Sequence, residues 1–451
     1  MLIALPLALI VCAWSPGLHA PYQYDDYVTP VKDPASQSLS AWVEAIPATL
    51  RPLTKLSFAI ESSLGATSAA SRRWFNAALF GLAAWLVFGL ARFGGLAREP
   101  AAALATLWAL HPVHAETVLA LAGRSVLLAL VLCLASAWAV AQNHSLLAVG
   151  CAIFAVLARE TAWLWLVACV GLVTSQKRRS WLVPALLLAT AGGAVLVMAS
   201  SRMRTLLSFS FSDSSVWNRL GLQWAALPRG LLLWWFTPRA FNVDMEFAPF
   251  GWIRVAYLLA AIALYAFAGW LALGPKRGTA LGLSALLWLC LVVPLHSVVP
   301  KLDPLTARTF SASSAAWVAL LAAALARSRV FQFGAGPRIA FWGMAALLSS
   351  VLVGFTREGA ALYLDPIALW RDASARTTHS TRPLINLGTL LAQDGQLEEA
   401  RVVLTEAARR STRSLEGKAR LDAVNVLIET KEVLTRPGAR DSVQRHEPAA
   451  P

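Results

Sequence analysis

Two adjacent carboxylates, Asp25 and Asp26, stand between tyrosines in the stretch Tyr24-Asp25-Asp26-Tyr27, directly after the first apolar run of the chain. An acidic pair at the end of an apolar segment suits a general base for a hydroxyl or part of a divalent-cation site; a solvated turn has the same look in a dipeptide. Further on, His111-Pro112-Val113-His114-Ala115-Glu116 lies between two apolar runs and is followed by Gly123-Arg124. Two imidazoles, a carboxylate and a guanidinium in so apolar a setting are costly unless they serve a purpose. Imidazole ligates zinc well, but two histidines with proline between them at this spacing do not form a zinc motif. Interfacial capping of a helix is the other reading. Arg51-Pro52-Leu53-Thr54 leads, through Lys55, into an apolar interfacial helix, Arg159-Glu160 interrupts another apolar pair, and Lys301, Asp303 and Arg308 cluster late in the chain.

The elements that must position these groups are apolar. Of the 451 residues, 57% are hydrophobic and 14% charged, well below the roughly 25% charge of a soluble domain. Long apolar runs fall at roughly 74–93, 117–141, 181–200, 252–273, 280–299, 310–326 and 339–356, with shorter ones near 1–14, 100–111, 145–158 and 161–175. A spanning helix needs about 20 such residues, so an all-α bundle crossing the bilayer about eleven to thirteen times is expected. Residues 1–20 read as a first spanning helix; Leu18-His19-Ala20 resembles a signal cleavage site, but no basic segment precedes it.

The net charge of +14 would suit nucleic acid if it were gathered on one surface. It is instead parcelled into short clusters between apolar runs: Arg92 with Arg98, Lys177-Arg178-Arg179, Lys276-Arg277, and Arg327, Arg329 and Arg338. That is the pattern of cytoplasmic loops, and no nucleic-acid partner is expected. With these clusters inside, the segment 16–73 and the loop around His111–Glu116 face outward. The stretch 216–236, broken by Pro228-Arg229-Gly230, must then add no crossing or two, and the chain leaves its last span on the outer side. Cys12, Cys133, Cys151, Cys169 and Cys290 lie in apolar segments without paired spacing, which indicates neither disulfides nor a thiolate metal site.

From residue 357 the sequence turns charged and helical. Leu384, Leu387, Gly388, Leu391, Ala400, Leu404 and Ala407 follow the spacing of one tetratricopeptide repeat, with Gln393-Asp394-Gly395-Gln396 as the turn between its helices. Trp370–Arg376 reads as the second helix of a preceding partial repeat and 416–434 as a following helix. The expected organisation is a membrane domain over 1–356, a small repeat domain over 357–436, and a disordered tail over 437–451.

The order Tyr-Asp-Asp-Tyr at 24–27, RPLTKLSFAIE at 51–61, HPVHAETVLALAGRSVLL at 111–128, ARET at 158–161 and a terminal repeat resembles the transmembrane and tetratricopeptide-repeat O-mannosyltransferase family and its bacterial relatives. These are polytopic C-type glycosyltransferases that use lipid-linked sugars. The resemblance covers nearly the whole chain and is most specific at HPVH followed by Glu116. It implies transfer of a sugar such as mannose from a polyprenyl phosphate to a hydroxyl, on protein or glycan, at the outer face of a bacterial inner membrane. It places Asp25 and Asp26 at the catalytic acidic motif and His111, His114 and Glu116 at the second-loop motif. Arg124, Arg308 or a histidine would neutralise the donor phosphate. Beyond the lipid-linked sugar no cofactor is implied, and a divalent cation at the acidic pair stays open. The repeat domain would hold the acceptor. Two positions depart from the family pattern: Val126 stands where an aspartate is usual, and Arg159 replaces the more usual lysine.

A non-enzymatic transporter, flippase or repeat-bearing scaffold on the same fold is the alternative. A transporter predicts internal repeats and charges deep within helices, whereas the polar residues here gather in the outer loops.

Overall fold

The computed structural model describes residues 4–23, 26–46, 49, 51–167, 307–328, 335–377 and 380–410, with isolated positions between 169 and 282 and at 422 and 425. Asp25, Lys301, Asp303, the basic clusters at 177–179 and 276–277, the stretch 216–236 and the tail 437–451 lie outside them. The runs expected at 181–200, 252–273 and 280–299 lie outside them apart from isolated positions. Among the described residues the fold is wholly helical. The chain divides into two compact units, Met1–Leu364 and Asp365–Pro451.

In the first unit, helix α1 spans Ala4–Leu18, α2 Leu39–Ala45, α3 Pro52–Ser63, α4 Ala69–Phe93 and α5 Arg98–Ala109. A four-residue helix α6 covers Ala115–Val118, followed by α7 over Arg124–Ala141, α8 over Ser145–Ala158 and α9 over Ala162–Val167. Beyond the central region, α10 spans Ala307–Ser328 and α11 Ala335–Leu362. Four described stretches are long and apolar enough to cross a membrane: Ala69–Phe93, Leu121–Ala141, Phe310–Arg327 and Arg338–Leu362. Leu7–Leu18 and Ser145–Ala158 are shorter apolar helices.

Two of these elements differ from expectation, each for a local reason. Helix α4 begins at Ala69 rather than near residue 74, because Ser68 caps it by accepting from the Ser71 amide at 3.1 Å. Its first turns thereby carry Arg72 and Arg73 into the interior, where both are buried. The apolar run 117–141 is broken. After α5 the chain makes 3-10 turns at Pro112–His114 and Leu121–Gly123 on either side of α6. Pro112 has no N–H to continue a helix, and the His111 ring accepts from the Val113 amide at 3.1 Å. The second turn closes onto α6 so tightly that a Cβ at Gly123 would lie 2.6 Å from the Glu116 carbonyl oxygen. Only glycine fits there.

Helices α7 and α8 form a close antiparallel pair. Asn143 turns the chain between them at φ 66°, a left-handed conformation that asparagine tolerates, and Ser136 Oγ donates to the Ala148 carbonyl at 2.8 Å. Helix α1 packs along α11, and α4 packs on both α5 and α7. The segment before α4 folds as short helices pinned to one another, with Lys55 Nζ 2.7 Å from Asp33 Oδ2.

The second unit contains α12 at Pro366–Ala375, α13 at Arg382–Gln393 and α14 at Leu397–Arg410. Asp365 caps α12 by accepting from the Ile367 and Ala368 amides. Helices α13 and α14 pack through buried Leu384, Leu387, Leu391, Ala400, Leu404 and Ala407. A Cβ at Gly388 would lie 2.6 Å from Leu404 Cγ. Gly388→Val is therefore expected to destabilise this helical pair by about 1–3 kcal/mol through overpacking, read as earlier proteolysis of the 365–410 segment in an otherwise intact chain.

Candidate functional site

The polar residues of the first unit resolve into three connected groups. The first surrounds Asp26, which is fully buried. Its Oδ2 accepts from the Gln23 amide at 3.0 Å and its Oδ1 from the Ala122 amide at 2.9 Å, and Arg73 Nη2 stands 3.5 Å from Oδ2. Arg73 also donates to the carbonyls of Leu119 and Pro21, at 2.7 and 2.6 Å, and to that of Ala20. The Gln23 side-chain amide reaches the Tyr363 carbonyl at 2.8 Å, tying the residues after α1 to the end of α11. Asp26 thus accepts from two backbone amides and faces a guanidinium. A divalent cation at Asp26 would have to displace these donors. Among the described residues, no group of three or more His, Cys, Asp or Glu side chains is placed to hold a metal ion.

The second group belongs to Arg124, also fully buried. Its Nη1 donates to Glu61 Oε2 at 2.7 Å, Nε to Asn76 Oδ1 at 2.8 Å and Nη2 to the Arg72 carbonyl at 2.8 Å. The guanidinium lies 3.8 Å from the centre of the Phe58 ring, within cation–π range. Arg124 was expected with His111, His114 and Glu116 on the donor phosphate. The structure commits its donors to the junction of α3, α4 and α7 instead. The reason is geometric: at the N-terminus of α7 its side chain turns toward α3 and α4.

The third group is the one that opens outward. Arg308 at the start of α10 donates through Nε to Glu116 Oε1 at 2.5 Å, and its backbone amide reaches Oε2 at 3.1 Å. Arg51 forks onto Glu160, with Nε to Oε2 at 2.7 Å and Nη2 to Oε1 at 2.5 Å. Burial opposes ionisation of Glu160, but the Arg51 charge and its hydrogen bonds win and hold the carboxyl well below the usual range. Arg159 lies between these pairs. It donates to Thr161 Oγ1 at 3.0 Å and Ser125 Oγ at 2.9 Å, and among the described residues no carboxylate is its ion-pair partner. Burial, then the like charges of Arg51 and Arg308, lower its pKa to about 9. The Arg51 and Arg308 side chains keep 36% and 21% of their surface exposed, and Arg159 is partly exposed. Among the described residues, three guanidiniums thus gather about two carboxylates at a partly exposed position. The buried Tyr363 phenol feels Glu116, Arg308, Asp26 and Arg73, so it stands between this group and the first.

The two histidines are both buried. His114 is enclosed by Trp108 and Phe80, at ring-centroid distances of 4.5 and 4.9 Å, with Nδ1 2.8 Å from Ser311 Oγ. Burial lowers its pKa to about 3, so the ring is neutral. His111 caps the turn that follows it. Of the residues expected at the site, the structure brings Glu116 and Arg308 into direct contact and places Asp26 behind them across Tyr363. Arg73, Glu61, Asn76 and Tyr363 are additions. An Arg-Arg pair at the head of an apolar run was the available signal for Arg73; nothing in the sequence around Tyr363 marks it. Compared with protein-family models, with curated proteins and with solved structures, the chain matches none.

Proposed function

We propose that the chain is a membrane glycosyltransferase that moves a sugar from a polyprenyl-phosphate donor to a hydroxyl on protein or glycan at the extracytoplasmic face of a bacterial inner membrane. The observation that carries this reading is the convergence of Arg51, Arg159 and Arg308 around Glu116 and Glu160, with Arg159 held by hydroxyls alone among the described residues. A positively charged, partly accessible group set between apolar helices suits a phosphate whose lipid chain stays in the bilayer. The resemblance of the acidic, second-loop and repeat motifs supports the same assignment.

In the proposed step the acceptor oxygen attacks the anomeric carbon from the face opposite the phosphate, and configuration inverts. The carbon–oxygen bond to phosphate breaks with its electrons on the phosphate, whose charge Arg159 and its two neighbours neutralise. A carboxylate takes the acceptor proton. Both Asp26 oxygens accept hydrogen bonds in a closed cage, so Asp26 is assigned the positioning role and Asp25 the base. Glu116 and Glu160 hold the arginine forks at fixed angles. The α12–α14 helices, read as a tetratricopeptide-type unit on the outer side of the membrane, would present the acceptor.

The test uses purified full-length chain in nanodiscs, a radiolabelled polyprenyl-phosphate sugar and an extract of periplasmic acceptors. Asp25→Asn is expected to lower transfer by at least about 100-fold with an unchanged unfolding temperature. Asp26→Asn should lower transfer and stability together, because Arg73 loses its counter-charge. Transfer by Asp25→Asn at the wild-type rate would overturn the assignment. Translocation of labelled lipid without any sugar transfer by the wild type would favour the flippase alternative.

A further inference from the structure

Away from the polar groups, a groove runs between α1, α4 and α5. Leu7, Gly81, Trp85, Phe88 and Thr106 are among its lining residues, and Arg98 stands at one end. Leu7 and Trp85 are half-exposed along that mouth. A Cβ built on Gly81 meets nothing within 4 Å. A mid-helix glycine weakens a helix relative to alanine, and here it also leaves the groove floor open. The lining is apolar except for its ends: Thr106 satisfies its own hydroxyl on the Ala102 carbonyl at 2.8 Å, while Arg98 is exposed and has no ion-pair partner among the described residues. Arg92 lies in the same turn, donating to the Leu96 carbonyl at 2.7 Å, and Glu99 is the acidic residue beside them.

The groove has the depth of one leaflet. From Arg98 to Thr106 the rise of α5 amounts to about 12 Å, against roughly 15 Å for half of a ~30 Å hydrocarbon core. A guanidinium at the headgroup level and an apolar slot running toward the midplane fit one amphiphile, with its acyl chain in the slot and an anionic head on Arg98. We propose that this groove is a binding site for an anionic phospholipid of the leaflet at the Arg98 end, with the lipid phosphate on Arg98. It is separate from the glycosyl-donor position. The polar groups described above lie at the opposite ends of the same helices, with Arg73 in the first turns of α4 and His111 just past the end of α5, so a polyprenyl phosphate engaged there cannot also place its phosphate on Arg98.

Native mass spectrometry of the delipidated full chain, titrated with phosphatidylglycerol, phosphatidylethanolamine or undecaprenyl phosphate, tests this directly. Wild type should retain phosphatidylglycerol in preference to phosphatidylethanolamine. Arg98→Gln should weaken phosphatidylglycerol binding about tenfold, the loss expected of one charge-assisted hydrogen bond, and erase the preference. Gly81→Leu should displace both phospholipids while leaving undecaprenyl phosphate adducts unchanged. Photo-cross-linking of wild type with a phosphatidylglycerol carrying a diazirine in its acyl chain gives a readout independent of any variant, with adducts expected in peptides covering 81–88. Phosphatidylglycerol binding indifferent to both substitutions, adducts confined to other helices, or loss of undecaprenyl phosphate alone on Gly81→Leu would each overturn the proposal.

Discussion

Replacing Arg124 with alanine is expected to destabilise the protein by about 3–5 kcal/mol, the range for removing one partner of a buried ion pair. The substitution strips four acceptors at once: Glu61 Oε2, Asn76 Oδ1, the Arg72 carbonyl and, at 3.4 Å, Ser57 Oγ. Arg72 approaches the same carboxylate oxygen at 3.8 Å, so Glu61 keeps a partial counter-charge but loses its close hydrogen bond. Lysine should rescue little. A single ammonium cannot reproduce a planar fork that bridges α3, α4 and α7 while lying on the Phe58 ring. Pairing Arg124→Ala with Glu61→Gln should recover part of the loss, since the uncompensated charge is then gone. Thermal unfolding of detergent-purified variants decides it. An Arg124→Ala protein of wild-type stability that is impaired only in donor use would return this residue to the phosphate.

Arg159 is expected to behave in the opposite way. Arg159→Ala should reduce kcat/KM for the lipid-linked donor by about 100- to 1,000-fold, as for removal of a preorganised charge stabiliser, while stability holds or rises slightly. The reason is local: its described hydrogen-bond partners are two hydroxyls, burial disfavours its charge, and repulsion from Arg51 and Arg308 opposes the attraction of Glu160 and Glu116. Removing it relieves repulsion in the ligand-free protein and is felt when a phosphate arrives. Arg159→Lys should restore transfer to within about tenfold, since a compact cation still reaches one phosphate oxygen. Steady-state kinetics with varied donor at saturating acceptor, alongside melting curves, separates the two effects. A destabilised Arg159→Ala protein with unchanged kcat/KM would assign the residue to packing.

Local pattern made some of this structure legible in advance. The helix Ser145–Ala158 matches its apolar run because Asn143 and Arg159 punctuate both ends. The pair α13 and α14 follows from Leu and Ala spacing around a turn that contains Gly395, and from a glycine facing Leu404. The break at 119–123 was not legible. Leu119 and Leu121 continue an apolar run, and what interrupts it is a close approach of Gly123 to the Glu116 carbonyl that only the folded chain creates. Site membership divides the same way. Glu116 is recognisable as a costly residue in apolar surroundings and Arg308 as part of a charged cluster late in the chain, but their pairing joins positions 192 residues apart, which no local pattern encodes. Arg124 stands out in the sequence, but its partners Glu61, Asn76 and the Arg72 carbonyl do not, since the direction of a side chain at a helix start depends on tertiary packing.

That 192-residue separation also sets a timetable. At about 5–20 residues per second, synthesis delivers Arg308 roughly 10–40 s after Glu116, and Tyr363, which receives the Gln23 amide, later still. Through that interval the nascent chain carries the Glu116 carboxylate among inserted apolar helices without the guanidinium it will finally meet. The insertion machinery or a transient neighbour must shelter it, or the segment must wait at the aqueous boundary until α10 arrives. A chain terminated before residue 308 leaves the Glu116 carboxylate without its Arg308 partner permanently.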